Sequence, residues 1–269
     1  MLGQGTWHMG ERRDSAAREA GALRLGIELG MTLIDTAEMY ADGGAETVTG
    51  MAVAGLRERV FLVSKVYPHN AGRGKLAQSC EDSLRRLKTD WLDLYLLHWR
   101  GDIPLSETIE GMEALVAQGK IRRWGVSNFD TEDMRQLLRC DGGDRCAVNQ
   151  VLYHLGSRGV EYDLLPWQKA HGIPIMAYCP VAQGGRLRRE LLSHLAVAEI
   201  AGARGATATQ ILLAWCMRSG DVIAIPKAAQ PAHVLENAQA GAIRLTAQEL
   251  ARLDAAFPPP GRKVPLDMR

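Results

Sequence analysis

The chain has 269 residues, 46% of them hydrophobic and 23% charged, with a net charge of +1. Those values describe an ordinary folded protein and give no electrostatic sign of a nucleic-acid or anionic-membrane partner. No apolar run approaches the roughly 18 residues of a membrane span, and Met1 to Gly10 carries neither the charged nor the apolar part of a secretion signal.

The first predicted strand lies within Leu2–Trp7. Because the chain opens almost directly on it, little is expected to plug the N-terminal end of a barrel. Ala16, Ala20, Leu23 and Ile27 then recur at helical spacing, with Gly30 placed to cap the helix C-terminus. Short apolar runs follow at Thr32–Ile34, Val60–Val63, Leu92–Leu97, Trp124–Val126, Ala147–Val148, Ile173–Ala177 and Val222–Ile225. Each is a few residues long, as expected of parallel strands buried on both faces. Between them, Ile109, Met112, Leu115 and Val116, closed by Gly119, read as a helix, as do Ala208, Ile211, Leu212 and Trp215.

Eight strands alternating with eight helices predict a (β/α)8 barrel, an α/β fold of eight parallel strands within a ring of helices. A doubly wound sheet is the alternative, but it would normally show a G-x-G-x-x-G turn after its first strand, and none is present. No linker or low-complexity tract divides the chain, so residues 1–269 are expected to form one domain with a short irregular tail from about Phe257. Cys80, Cys140, Cys146, Cys179 and Cys216 are scattered and never paired as C-x-x-C, which fits reduced thiols in the cytoplasm. No histidine or cysteine cluster has metal-ligand spacing, and no metal is expected.

In such a barrel the chemistry gathers at the carboxyl ends of the strands. Here the predicted strands end in Asp35, Lys65, His98, Ser127 with Asn128, Asn149 with Gln150, Tyr178, and Lys227. Asp35 and Lys65 close adjacent strands, so an ion pair across the mouth is sterically natural. Tyr40, five positions beyond Asp35, can fold back over the same mouth. A free tyrosine, with a pKa of about 10, is a weak acid at neutral pH. A neighbouring lysine is expected to stabilise the phenolate and make Tyr40 a proton donor. His98 would offer a hydrogen bond to the substrate oxygen. Asp35 and Lys65 alone would be equally consistent with a structural ion pair.

Asp35-Thr36-Ala37-Glu38-Met39-Tyr40, the strand ending in Lys65, Leu96-Leu97-His98-Trp99, Gly125-Val126-Ser127-Asn128-Phe129 and Ile225-Pro226-Lys227 together resemble the aldo-keto reductase family. The likeness runs from Gly3 to about Leu253. Gly3-Gln4-Gly5-Thr6-Trp7 and Tyr153-His154-Leu155-Gly156-Ser157-Arg158 make it most similar to the bacterial branch associated with methylglyoxal reduction. The resemblance implies an NADPH-dependent reductase of small aldehydes, with Asp35, Tyr40, Lys65 and His98 as its catalytic tetrad. It implies cofactor contacts from Gly5, Thr6, Trp7 and Asp35, with Ser127, Asn128 and Gln150 at the carboxamide and Tyr178 stacked on the nicotinamide ring. Cys179, Pro180, Val181, Ala182, Gln183 and Gly184 would follow the pyrophosphate. Ile225, Pro226, Lys227, Ala228, His233, Glu236 and Asn237 would hold the adenosine end, with Lys227 facing a 2′-phosphate. Trp7, Tyr67 and Trp99 would join Tyr40 and His98 around the substrate.

Ala228 and His233 depart from the Ser and Arg common in the family, so NADP(H) is expected ahead of NAD(H) chiefly through Lys227. The short tail implies an open pocket, and a monomer is expected. Two other classes remain: a nicotinamide-binding regulatory or structural protein with little turnover, and an aldolase forming a Schiff base on Lys65.

Overall fold

The computed structural model describes residues 1–268. Eight strands form one parallel sheet in chain order: β1 (Gln4–Gly5), β2 (Leu33–Asp35), β3 (Phe61–Val66), β4 (Leu94–Leu97), β5 (Trp124–Ser127), β6 (Asn149–Leu152), β7 (Ile175–Tyr178) and β8 (Val222–Ala224). The first and last strands meet through parallel bridges between Leu2 and Ala224 and between Gly5 and Lys227, which closes the barrel. Closure needs a glycine at position 5, because a Cβ there would stand 2.7 Å from the Ile225 carbonyl oxygen.

The (β/α)8 architecture expected from the alternation is therefore the one observed, but the helices are not one per strand. Among the described residues there are eleven α-helices. Those on the first six strands are α1 (Ala16–Glu28), α2 (Gly44–Val53), α3 (Leu76–Leu87), α4 (Leu105–Ala117), α5 (Thr131–Arg139) and α6 (Leu164–Ala170). After β7 come α7 (Gly185–Ser193), α8 (Leu195–Arg204) and α9 (Ala208–Cys216), and after β8 come α10 (Pro231–Ala240) and α11 (Ala247–Ala256). Capping sets the boundaries. Asp130, Thr207 and Thr246 form capping boxes with Asp133, Gln210 and Glu249 at the starts of α5, α9 and α11. Gly30, with φ of +90°, ends α1 as its sequence position suggested. No helix of the described residues is long and apolar enough to cross a membrane.

The strand period of two organises the interior. Leu33, Val63, Leu96, Val148, Met176 and Ile225 belong to one apolar cluster. Two residues beyond each of them stand Asp35, Lys65, His98, Gln150, Tyr178 and Lys227. An apolar floor thus carries a polar layer at the carboxyl end of the sheet. The residues between them, such as Ile34, Tyr95 and Leu97, pack outward into the larger core under the helices.

The sixth strand corrects a boundary: the apolar pair Ala147–Val148 precedes it, and Asn149 and Gln150 lie within it. Polar residues are tolerated in this buried strand because they are paired. Asn149 Nδ2 donates to the Phe129 carbonyl and to Gln168 Oε1, both at 2.9 Å. Residues 258–268 carry no helix or strand and are tied down. Lys263 reaches Asp163 at 3.1 Å and Asp130 at 3.6 Å, and Ser157 bonds Asp267.

Candidate active site

Lys65 is fully buried, and its ammonium has all three N–H bonds engaged. Nζ donates to Asp35 Oδ2 at 2.8 Å, to the Thr36 carbonyl at 2.8 Å and to Tyr40 Oη at 3.0 Å. The other carboxylate oxygen of Asp35 accepts from Gln150 Nε2 at 2.7 Å. Two adjacent strands and one loop thus deliver the three groups that the spacing placed together. The loop makes its turn through Ala41, Asp42 and Gly43, which have φ of 51°, 51° and 84°. Two non-glycine residues in the left-handed region are an energetic cost, and they bring Tyr40 back over the mouth.

His98 packs edge-on to Tyr40, with ring centroids 5.7 Å apart. Its Nδ1 is buried without a hydrogen-bond partner among the described residues. A buried unpaired N–H is less tolerable than an unpaired lone pair, so the ring proton belongs on Nε2. Burial, reinforced by the Lys65 charge, drives the His98 pKa down to about 2, leaving a neutral imidazole.

The electrostatics of Tyr40 differ from the sequence expectation. Burial first, then the Asp35 carboxylate and Cys179, hold the phenol well above its ordinary pKa. Burial also draws the Lys65 ammonium down, against the opposing pull of Asp35. Stabilisation of a phenolate by Lys65 does not prevail at rest, because desolvation penalises the anion and Asp35 offsets the cation. The resting tyrosine is a protonated phenol with a lysine donating to its oxygen.

Two adjoining cavities open over this set. The smaller, of 30 Å³, is lined by Trp7, Met39, Tyr40, His98, Ser127, Asn128, Gln150 and Tyr178. Asn128 sits at φ 59°, donates to the His98 carbonyl at 3.1 Å and accepts from Tyr178 Oη at 2.9 Å. Ser127 Oγ donates to the Gln150 carbonyl at 2.8 Å. The larger, of 140 Å³, runs from Asp35 and Tyr40 past Gly5, Thr6, Trp7 and the segment Tyr178 to Gln183, ending at Ile225, Pro226 and Lys227. An elongated channel with amide groups at one end and a lysine at the other fits a dinucleotide lying across the strand ends.

Other expected residues stand elsewhere. Gly184 lines a neighbouring cavity rather than the channel. Ala228, His233, Glu236 and Asn237 do not line the channel. His233 pairs with Glu236 at 3.2 Å, and Glu236 also accepts from Thr207. Tyr67 and Trp99 form a rim outside both cavities, joined edge-to-face at 5.8 Å, with Trp99 against His98 at 4.9 Å. Arg100 is held by Asp133 and Gln136 of α5. Three lining residues escaped the sequence reading, His8, Met39 and Arg188. Met39 carries no signal of its own. Arg188 follows a Gly-Gly pair in a run of arginines lacking an acidic partner in the first helical turn.

This barrel, with a Tyr-Lys-Asp-His set under an elongated channel, has the architecture of a nicotinamide-dependent oxidoreductase that needs no Rossmann fold. The chain belongs to the aldo/keto reductase family, whose sequence model matches residues 1–257. It is 61% identical over 267 residues to methylglyoxal reductase YeaE of Escherichia coli K12, covering 99% of this chain and 94% of that protein. It is 33% identical to glyoxal reductase of Bacillus subtilis over 235 residues, covering 87% and 82% of the two chains. Its fold superposes with a TM-score of 0.98 on a Klebsiella pneumoniae aldo/keto reductase solved with NADP and acetate. That structure is 62% identical in sequence, with 100% of this chain and 95% of the other covered.

Proposed function

We propose that the protein is an NADPH-dependent reductase of small aldehydes and ketoaldehydes, of which methylglyoxal is the type, with Tyr40 as its proton donor. The observation that carries this reading is the buried chain of contacts from Asp35 through Lys65 to Tyr40, at 2.8 and 3.0 Å, opening into a cavity shared with His98. The E. coli relative's name and the NADP bound to the Klebsiella homologue support the substrate class and the cofactor.

When bound, reduced nicotinamide would supply the hydride for the carbonyl carbon. Everything else is done by side chains. The carbonyl oxygen lies between two donors, Tyr40 Oη–H and His98 Nε2–H. Both are neutral in the resting enzyme, so they tolerate the uncharged substrate and strengthen as negative charge grows on its oxygen. An alkoxide is far more basic than a phenolate, so the proton moves from Tyr40 to the product even though burial raises the phenol's pKa. Lys65 then stabilises the phenolate it already touches, and Asp35 keeps the ammonium in place. Ser127, Asn128 and Gln150 would hold the carboxamide beside Tyr178, and Lys227 would meet the 2′-phosphate. Trp7 bounds the substrate, with Tyr67 and Trp99 at the rim of an open entrance.

The lysine does not suit Schiff-base chemistry: its nitrogen is inaccessible and spends every N–H on an acceptor. The reading takes the enzyme as a monomer in the cytoplasm, where the thiol form of its scattered cysteines is the stable one.

The test is the initial rate of NADPH and NADH oxidation with methylglyoxal and a panel of short aldehydes. Rapid turnover with NADPH is expected. A protein that binds NADPH but turns over none of the panel would instead be a nicotinamide-binding protein without this activity.

A further inference from the structure

The turn that carries Tyr40 is closed into a ring by contacts outside the catalytic set. Its residues Ala41 and Asp42, both at φ of 51°, hold a left-handed backbone that persists only where the surroundings impose it. Three elements supply that constraint. Glu46, in the first turn of α2, is fully buried; it accepts from Ser64 Oγ of β3 at 2.5 Å and from Arg86 Nε of α3 at 2.6 Å. Arg86 also donates to Ser83 Oγ at 3.3 Å, and its shaft lies across the turn, where a Cβ on Gly43 would collide with Arg86 Cδ and Nε. Ser64 immediately precedes Lys65, and strand alternation sends the two side chains to opposite faces of β3. Lys65 points into the mouth and holds Tyr40, whereas Ser64 points outward and holds Glu46. Both ends of the segment 40–46 are thereby fixed to neighbouring residues of one strand.

We propose that Glu46, with Arg86, is a positioning residue for Tyr40: their ion pair holds the phenol in register with Lys65 and so with the substrate oxygen. The inference rests on the reading of Tyr40 as the proton donor. Stability alone does not explain the arrangement. A carboxylate withdrawn from water recovers little net energy from its partner, and apolar side chains of similar size often serve a fold as well. What apolar side chains do not supply is direction. The Glu46 carboxylate makes two directed bonds, one to β3 and one to α3, and so leaves the turn between Tyr40 and α2 a single placement. A proton donor displaced by a fraction of an ångström loses much of its effect, so this rigidity is read in the rate. Glu46 also acts through its charge. Burial draws the Lys65 ammonium towards deprotonation, Asp35 opposes this first, and Glu46 adds to Asp35.

The test compares methylglyoxal turnover, NADPH dissociation constants and unfolding midpoints for the wild type, Glu46→Gln, Arg86→Met, Arg86→Lys and Ser64→Ala. Glu46→Gln keeps the shape of the side chain and removes its charge. It should lower kcat by about tenfold, with KM and NADPH binding near the wild-type values. Arg86→Met should behave alike, and Arg86→Lys, which restores a cation, should recover most of the loss. Ser64→Ala breaks the link to β3 without stranding a charge, so it keeps the test readable if Glu46→Gln does not fold. It should lower kcat by about threefold. Arg57→Met breaks a largely buried pair with Asp93, 2.8 Å long, at the opposite end of β3 and β4, and should lower the unfolding midpoint while leaving kcat unchanged. The deciding measurement is Glu46→Gln in the Tyr40→Phe background, where a residue acting through Tyr40 should cause no further loss. Wild-type kcat in Glu46→Gln and Ser64→Ala while Tyr40→Phe collapses would overturn the proposal, and so would an equal loss from Glu46→Gln in both backgrounds. A Tyr40→Phe enzyme that keeps its turnover would instead remove the acid assignment, and the proposal with it.

Discussion

Lys65 Nζ stands 3.0 Å from Tyr40 Oη and 2.8 Å from Asp35 Oδ2, so a single buried ammonium joins the phenol to a carboxylate. Replacing Tyr40 with Phe removes the transferable proton while keeping the ring against His98. Turnover of methylglyoxal with NADPH should fall by a factor of about 10² to 10⁴, with NADPH binding unchanged. Retention of most of the activity in single-turnover measurements would dismiss Tyr40 as the acid.

The same ion pair governs stability. Lys65→Met would leave Asp35 buried with Gln150 as its remaining side-chain donor, a situation that costs about 3–5 kcal/mol. Adding Asp35→Asn removes the stranded charge, so the double variant should unfold at higher urea than Lys65→Met alone. Equal midpoints would mean that Asp35 is not stranded by the first change.

His98 makes acid stability steep. In the fold its pKa is pushed down to about 2, whereas in the unfolded chain it titrates near its ordinary value of about 6.5. The unfolded chain therefore binds the extra proton between those limits. Its contribution to stability is complete above about pH 6.5 and is lost as pH falls, by up to about 1.4 kcal/mol per unit. The difference in unfolding free energy between wild type and His98→Asn, followed from pH 7 to pH 4, should shift in that direction; a pH-independent difference would contradict a neutral buried imidazole.

Barrel closure gives a fourth expectation. In Gly5→Ala the new methyl lies 2.7 Å from a backbone oxygen in the seam between the first and last strands. Backbone cannot yield as a flexible side chain does, so a loss of about 1–3 kcal/mol is expected, with weaker NADPH binding from the displaced channel wall. Thermal unfolding at the wild-type temperature would show that the seam adjusts freely.

How legible the site was varied with the distance over which its parts interact. Asp35, Lys65, His98, Gln150, Tyr178 and Lys227 each follow an inward apolar residue by two positions, so strand periodicity alone set them on one layer. The β6 boundary was misplaced because Asn149 and Gln150 look unlike strand residues until their partners, Gln168 and Asp35, are known. Tyr67 and Trp99 have the right loops but stop at the rim. Ala228, His233, Glu236 and Asn237 lie outside the channel, on or beside α10, where Glu236 already engages His233 and Thr207.

The sequence by itself determined the barrel, because an alternation of short buried runs with amphipathic helices admits few other architectures. It also determined which residue types face the mouth, since that follows from a local period. Only the tertiary structure decided their charge states. Whether Tyr40 rests as phenol or phenolate depends on how completely Asp35, Lys65 and the surrounding core exclude water, a property of packing between distant segments. It likewise took the folded chain to bring Arg188, far along in the sequence, onto the same wall as Gly5.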